Sequence, residues 1–412
     1  MKAIISGAGI GGLTAALCLH RIGYDVEIFE AVSELRPLGV GINLLPHGAS
    51  VLHALGLGAK LDKSGVRTRA IEYRTKFGHV ITSDPRGVEA GFEFPQYSIH
   101  RGQLQFLLLE AVKDRLGENA LKTGMPIKSF SQNTSGITAQ LSIEEKGSTT
   151  AMVEGDLLIG ADGFHSVIRK QLHPDEGPPH YEGMMMWRGI REQSVFGDGR
   201  TMFIAGNHDV KLVCYPISEQ VKGSQTAQIN WVAEYRQGNP RRAITADWNR
   251  LGTRNFIEHF RSFEMGDIDV VDLLENTEYI FEYPMVDRDP LPWWTKGRVT
   301  LLGDAAHPMY PVGANGASQA ILDGEALSEA LSLYRPVQGL SVYEANRLQQ
   351  TANVILDNRE WGPERVLDIA DKRIKRSSDK LEDHLTEDEI LLVAKKYRKV
   401  AGFRKKEDLT ET

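Results

Sequence analysis

The chain has 412 residues, 41% of them hydrophobic and 25% charged, which is enough for two or three domains of ordinary globular composition. Its net charge of −7, with no basic block outside the C-terminal tail, disfavours a polyanionic partner such as nucleic acid. No uninterrupted apolar run reaches the ~18 residues of a membrane span, and Gly7 to Gly12 break the apolar N-terminus before it reads as a signal peptide. The two cysteines, Cys18 and Cys214, read as reduced core thiols. A cytoplasmic protein without membrane association is therefore expected.

In chain order, KAIIS (2–6) reads as a short buried parallel strand. Gly7, Gly9 and Gly12 then fall on the G-x-G-x-x-G spacing, with Ile10 and Gly11 inside it. Leu13 to Ile22 reads as a helix stopped by Gly23, and DVEIFE (25–30) as a second strand ending in Glu30. Gly7 permits the tight turn, Gly9 lets a pyrophosphate touch the backbone, and Gly12 lets the helix pack on the strand. The helix N-terminus then faces the phosphates, and Glu30 can accept hydrogen bonds from a ribose. This pattern predicts dinucleotide binding, and the carboxylate of Glu30 would repel the 2′-phosphate of NADP.

EGDLLIGADGFHSVIRKQL (154–172) reads as strand, loop and helix, with Asp162–Gly163 at the turn and Ser166 capping a helix that carries Arg169. Between 176 and 290, MMMWRGI, KLVCYPIS, AQINWVAEYR and YIFEYPMVD alternate as strands of an antiparallel sheet, polar on one face and apolar on the other. Part of 70–100 is expected to join it. RVTLLGD then reads as a buried strand with Asp304 at its carboxyl end, and Pro308 and Pro311 delay the following helix. That helix begins in GANGAS, whose lack of bulk lets it approach a flat ring and stabilise negative charge there. In the charged tail, TEDE (386–389) reads as a capping box before ILLVAKKYRKV, a solvated helix.

The glycine motif with Glu30, DLLIGADGFHSVIR and GDAAHPMYP together resemble the single-component FAD-dependent aromatic hydroxylases over roughly residues 1–365. The blocks ELRPLGVGINL, PRGVEAG, PQYSIHRGQLQ and YPMVDRDPLP are similar to the phenazine-modifying members of that family, although Pro46–His47 stands where many relatives carry Pro-Asn. The resemblance implies an α/β fold: a discontinuous Rossmann-like FAD-binding domain (1–70, 101–175, 291–365), an antiparallel β-sheet substrate domain (71–100, 176–290) and a C-terminal helical tail (366–412). It implies one extended FAD, running from Glu30 at its ribose past Gly12 at the pyrophosphate to Asp304 at the ribityl chain. The flavin ring would lie against Pro311, Gly313, Ala314, Asn315 and Gly316. Arg101 would contact the pyrophosphate region, Gly41 and Ile42 would flank the flavin, and Met125 would meet the adenine. Arg36 and Asp162 join this cofactor-binding set.

The sequence holds no H-E-x-x-H, paired-cysteine or G-x-S-x-G pattern, so neither a metal site nor a serine nucleophile is expected. His307, beside Asp304, is expected to be structural. A second dinucleotide motif is also missing, so NAD(P)H would bind only transiently as co-substrate. The resemblance implies oxygen transfer from a C4a-hydroperoxyflavin to an electron-rich aromatic or N-heteroaromatic ring, phenazine-like, with loss of CO2 where a carboxylate sits on the attacked carbon. No side chain need act as nucleophile, so the catalytic candidates are the flavin-adjacent Pro311, Gly313, Ala314 and Asn315. Met185, Met186, Trp187 and Tyr215 are candidates for an apolar substrate slot, with Arg188 as the cation for a carboxylate. A flavin oxidase or dehydrogenase without oxygen insertion, and a cofactor-free binding protein on the same fold, stay open. Either a monomer or a homodimer is consistent with the sequence.

Overall fold

In the computed structural model, residues 1–37, 39–143, 149–219, 225–238, 251–360, 364–386, 388 and 389 are described. A five-stranded parallel sheet forms in the spatial order Val299–Leu301, Leu157–Gly160, Lys2–Ser6, Asp25–Phe29, Leu121–Lys122. The central strands are nearly continuous apolar runs, as a sheet covered on both faces requires. Three segments far apart in sequence thus run side by side, and their carboxyl ends lie at one edge. The helix Ile10–Arg21 packs between the helices Arg101–Leu116 and Gly316–Leu333. Its lack of a polar face follows from that position: all residues from Gly12 to Leu19 are buried.

The second layer is a seven-stranded sheet in the order Ile280–Asp287, His180–Ser194, Thr226–Arg236, Val210–Pro216, Thr201–Gly206, Ala70–Arg74, Val80–Pro85. It is antiparallel except where Thr201–Gly206 runs parallel to Ala70–Arg74. The four predicted strands are all present. TMFIAG (201–206) adds a strand that the alternation rule misses, because every one of its residues is buried. From 70–100, only the first two strands join this sheet; Gln96–His100 pairs instead with Gly41–Leu44 and Gly65–Thr68 in a small separate sheet. The expected polar and apolar faces also need correction. One face packs on Phe256, Phe260 and Phe263, and the other looks into a cavity, so neither is a plain solvent face.

The C-terminal segment is less solvated than its composition implies. Helix Arg365–Arg373 seats Val366, Leu367 and Ala370 against Tyr73 and Ile204 of the large sheet. The capping box is formed, with Glu389 N donating to Thr386 Oγ1 and Thr386 N donating to Glu389; ILLVAKKYRKV lies outside the described residues. Both cysteines are buried, and burial pushes the Cys18 thiol up to about 12. Among the described residues no helix is long and apolar enough to cross a membrane.

Candidate functional site

A cavity of about 400 Å³ opens at the carboxyl ends of the parallel strands and continues to the large sheet, the place where open α/β sheets bind ligands. Gly9, Ile10, Gly11, Ile42, Arg101, Gly163, Asp304, Pro311, Gly313, Ala314 and Gly316 all line it. The glycine loop is shaped by two kinds of constraint. Gly7 has φ +103°, and a Cβ on Gly12 would lie 2.1 Å from the Gly7 carbonyl oxygen. At Gly9, by contrast, a Cβ would meet nothing within 4 Å. Space is therefore kept open on the cavity side of the helix N-terminus, whose first N–H groups have no side-chain cap. That is the room an anionic phosphate needs.

At the next strand end, the Glu30 carboxylate accepts from Ala8 N at 2.8 Å and Val32 N at 3.1 Å. Met125 N donates to the Glu30 carbonyl at 3.0 Å. Neither residue lines the cavity itself, and Arg36 is exposed and paired with Glu34. Ser166 is the N-cap of the helix Val167–Leu172, its Oγ accepting from Arg169 N at 2.9 Å, and Asp162 supports that turn by accepting from Ser166 Oγ at 2.5 Å and Val167 N at 2.9 Å. Arg169 on that helix is buried and donates to the Ala305 and Ala306 carbonyls at 3.0 and 2.9 Å. One guanidinium thereby ties the second motif to the third. Its anionic partner is Glu176, which accepts through both carboxylate oxygens.

Asp304 is exposed to the cavity, and desolvation by the protein packed around it raises the carboxyl above the ordinary range, against the pull of His307 and Arg101. The loop that carries it is held from behind by Asp323. This fully buried carboxylate accepts from Gly303 N at 2.9 Å, His307 Nε2 at 2.5 Å and Arg347 Nε at 2.9 Å. The expected structural role of His307 is seen in this contact. Burial works to raise Asp323, but His307, Arg347 and the hydrogen bonds outweigh it and hold it down to about 2. A depressed carboxyl contributes stability above its unfolded pKa and loses it as pH falls through the folded one. On the order of 2 kcal/mol should therefore disappear between about pH 4 and pH 2. Urea midpoints across that range should show a slope that is smaller in Asp323→Asn; parallel slopes would remove Asp323 as its source.

The loop after Asp304 begins its long helix later than expected. Val312–Ala314 is a single 3₁₀ turn, Gly313 has φ +70°, and the α-helix starts at Gly316 with buried Asn315 as its N-cap residue. Ala314 has φ +56°, the one non-glycine in the left-handed region among the described residues. Such a conformation costs about 1–2 kcal/mol, which the surrounding loop must hold in place. Asn358 Nδ2 does part of this by donating to the Tyr310 carbonyl at 3.0 Å.

The opposite wall is the inner face of the large sheet, where register partners form rows. One row is Ile190, Asn230 and Tyr215; the next is Arg188, Val232, Val213, Ile204 and Tyr73; the third is Met186, Glu234 and Lys211. Adjacent residues of a strand point to opposite faces, so Met185 and Trp187 cannot share this wall with Met186 and Arg188. The structure corrects the substrate-slot expectation accordingly. Trp187 stacks on Phe256 at 4.6 Å in the outer core, with Met185 beside it. Arg188 and Tyr215 are on the wall, but both donate to the Gly41 carbonyl, at 2.7 and 2.8 Å. Asn230 Oδ1 accepts from Gly41 N at 2.6 Å. These three side chains fix the backbone of the Gly41 strand.

Sequence reasoning missed Lys211, Glu234 and Glu364, which line the far end of the cavity. The alternation in KLVCYP and WVAEYR holds the signal for two of them, since Lys211 and Glu234 share a face with Val213 and Val232. Nothing in the sequence marks Glu364.

The family model described as an FAD binding domain matches residues 1–357. The chain is 44% identical over 361 residues to phenazine 1,6-dicarboxylic acid hydroxylase PhzS of Lysobacter antibioticus, covering 87% of this chain and 89% of that protein. It is 32% identical to 3-amino-4-hydroxybenzoate 2-monooxygenase of Streptomyces cremeus, covering 86% and 85%. Among solved structures, Klebsiella pneumoniae HpxO complexed with FAD and uric acid superposes with a TM-score of 0.72 at 23% identity, covering 98% of this chain and 94% of that one.

Proposed function

The chain belongs to the FAD-binding-domain family, and from that premise we propose that it is an FAD-dependent, NAD(P)H-consuming monooxygenase acting on an N-heteroaromatic acid of phenazine-like size. The observation that carries the reading is the continuity of one cavity, from Gly9 at the glycine loop past Asp304 to the apolar row of Val232, Val213 and Ile204. The hydroxylase names of the relatives at 44% and 32% identity support the aromatic class.

The residues present fit FAD. The open side of Gly9 and the uncapped N–H groups of Ile10 and Gly11 suit a pyrophosphate. Glu30 would hold the adenosine ribose, with Met125 at the adenine and Asp304 at the ribityl hydroxyls. Gly313 to Gly316 would present backbone N–H groups and a helix N-terminus to developing negative charge on the ring. Bound FAD, reduced by NAD(P)H, supplies one oxygen atom of O2 to an electron-rich ring carbon, and a carboxylate on that carbon would leave as CO2. The protein's part is placement. Met186, Ile204, Val213 and Val232 give the ring an apolar face and exclude water, while Arg188 and Tyr215 keep the Gly41 backbone fixed beside it.

The test is turnover of phenazine, quinoline, nicotinate and benzoate acids under 18O2, followed by mass spectrometry and NAD(P)H consumption. One 18O atom in a phenazine- or quinoline-derived product is the expected result. Turnover confined to benzoates would overturn the heteroaromatic assignment, and nucleotide consumption yielding only hydrogen peroxide with every acid would favour an oxidase.

A further inference from the structure

The end of the cavity remote from the glycine loop holds a charge cluster that oxygen transfer does not use. Lys211 Nζ lies 2.8 Å from Glu234 Oε2 and 2.5 Å from Glu364 Oε2, and the three side chains are 3%, 5% and 8% exposed. Lys211 and Glu234 are register partners on adjacent strands, and Glu364 arrives from the segment just before helix Arg365–Arg373. All three line the cavity.

A tie between that helix and the sheet needs one carboxylate for one ammonium. Here two carboxylates share it, and with both ionised an excess negative charge sits in a cavity end that bulk water barely reaches. Such a charge is strongly unfavourable unless something compensates it. Glu234 Oε2 is buried and has Lys211 Nζ, 2.8 Å away, as its one close polar partner among the described residues. Burial pushes the Glu364 carboxyl above its ordinary range although Lys211 pulls it down, and Glu234 adds to the rise. The cluster is built to receive a proton donor, and it repels an anion.

Position gives the ligand's length. Tyr215, which holds Gly41, and Lys211 are four residues apart on one strand, about 13 Å at the usual rise. The row between them carries Val232, Val213 and Ile204. A planar molecule of two or three fused rings spans that strip with its far edge at the cluster.

We propose that Lys211, Glu234 and Glu364 form a distal recognition subsite that accepts a hydrogen-bond-donating edge of the substrate, a ring N–H, amino or hydroxyl group, and discriminates against a carboxylate or bare ether oxygen there. The inference rests on the function proposed above, because the strip is read as the substrate wall.

The test titrates FAD-loaded enzyme with acridone-2-carboxylate and xanthone-2-carboxylate, which differ by a ring N–H against an ether oxygen, and reads flavin difference spectra. The wild type should bind the acridone about ten-fold tighter or better, the worth of a hydrogen bond to a charged group. Glu364→Gln and Glu234→Gln should each reduce that preference to about threefold or less by weakening the acridone alone. Equal affinities in the wild type, failure of both to bind, or a preference untouched in the variants overturns the subsite. Should a variant lose its flavin, the wild-type ratio and the other variant decide. If the preference behaves as expected but no tight-binding acid incorporates 18O, the subsite stands and the monooxygenase reading falls.

Discussion

Asparagine in place of Asp323 is expected to lower the unfolding free energy by about 3–5 kcal/mol, the usual result of breaking a buried ion pair from one side. Asp323 accepts from Gly303 N, His307 Nε2 and Arg347 Nε in a site with no exposure. An asparagine keeps the volume but offers one acceptor oxygen, and its amide N–H groups would face donors. Arg347 would keep only Gln319 and Gln350 as polar partners and no carboxylate. Urea unfolding of the two proteins at neutral pH measures the loss. The variant should also retain less flavin, because Gly303 N anchors the backbone next to Asp304. A loss below about 1 kcal/mol would mean that Arg347 and His307 find other partners, and the account of this loop would be wrong.

Alanine at Gly12 and alanine at Gly9 should fail in different ways, although the two glycines belong to one motif. At Gly12 the new Cβ would lie 2.1 Å from the Gly7 carbonyl oxygen. Neither backbone can yield without parting the first helix from the first strand, so the cost should exceed the 1–3 kcal/mol of ordinary overpacking, at more than about 3 kcal/mol. At Gly9 the backbone has φ −71°, ordinary for alanine, and its Cβ has open space. Gly9→Ala should therefore fold with stability within about 1 kcal/mol of the parent. The methyl group would stand where the pyrophosphate is proposed to lie, so flavin affinity should drop ten-fold or more, about 1.4 kcal/mol at least. Thermal melts of flavin-stripped protein separate the first effect, and flavin titration the second. A Gly9→Ala protein that binds FAD normally would place the pyrophosphate elsewhere.

Several features of this molecule are local and were readable as such. The glycine spacing, the run KAIIS, the cap at Ser166 and the box at Thr386 and Glu389 each depend on residues within a few positions of one another. Spacing and side-chain type are enough to dictate them. Arg169 was visible at the end of its motif, but its hydrogen bonds to the Ala305 and Ala306 carbonyls were not. That contact joins residues more than 130 positions apart.

The sheet face that lines the cavity divides along the same line. Strict alternation says that Trp187 and Arg188 must face opposite ways, and that much the sequence determined. Which of the two looks into the cavity depends on what covers each face, and only packing decides it. Phe256 and the aromatic layer around it cover the Trp187 side, so Arg188 faces the Gly41 strand. Likewise, the charge of Lys211 in an apolar run was plain, but its two carboxylates come from a neighbouring strand and from a segment more than 150 residues later. The sequence by itself settled the parallel sheet, the tight glycine loop and the order of the three motifs, because backbone sterics and hydrophobic period act over short range. The tertiary structure alone decided which sheet face looks into the cavity, how Asp323 braces it and where the far charges gather, because burial and ion pairing are set by what the chain brings together in space.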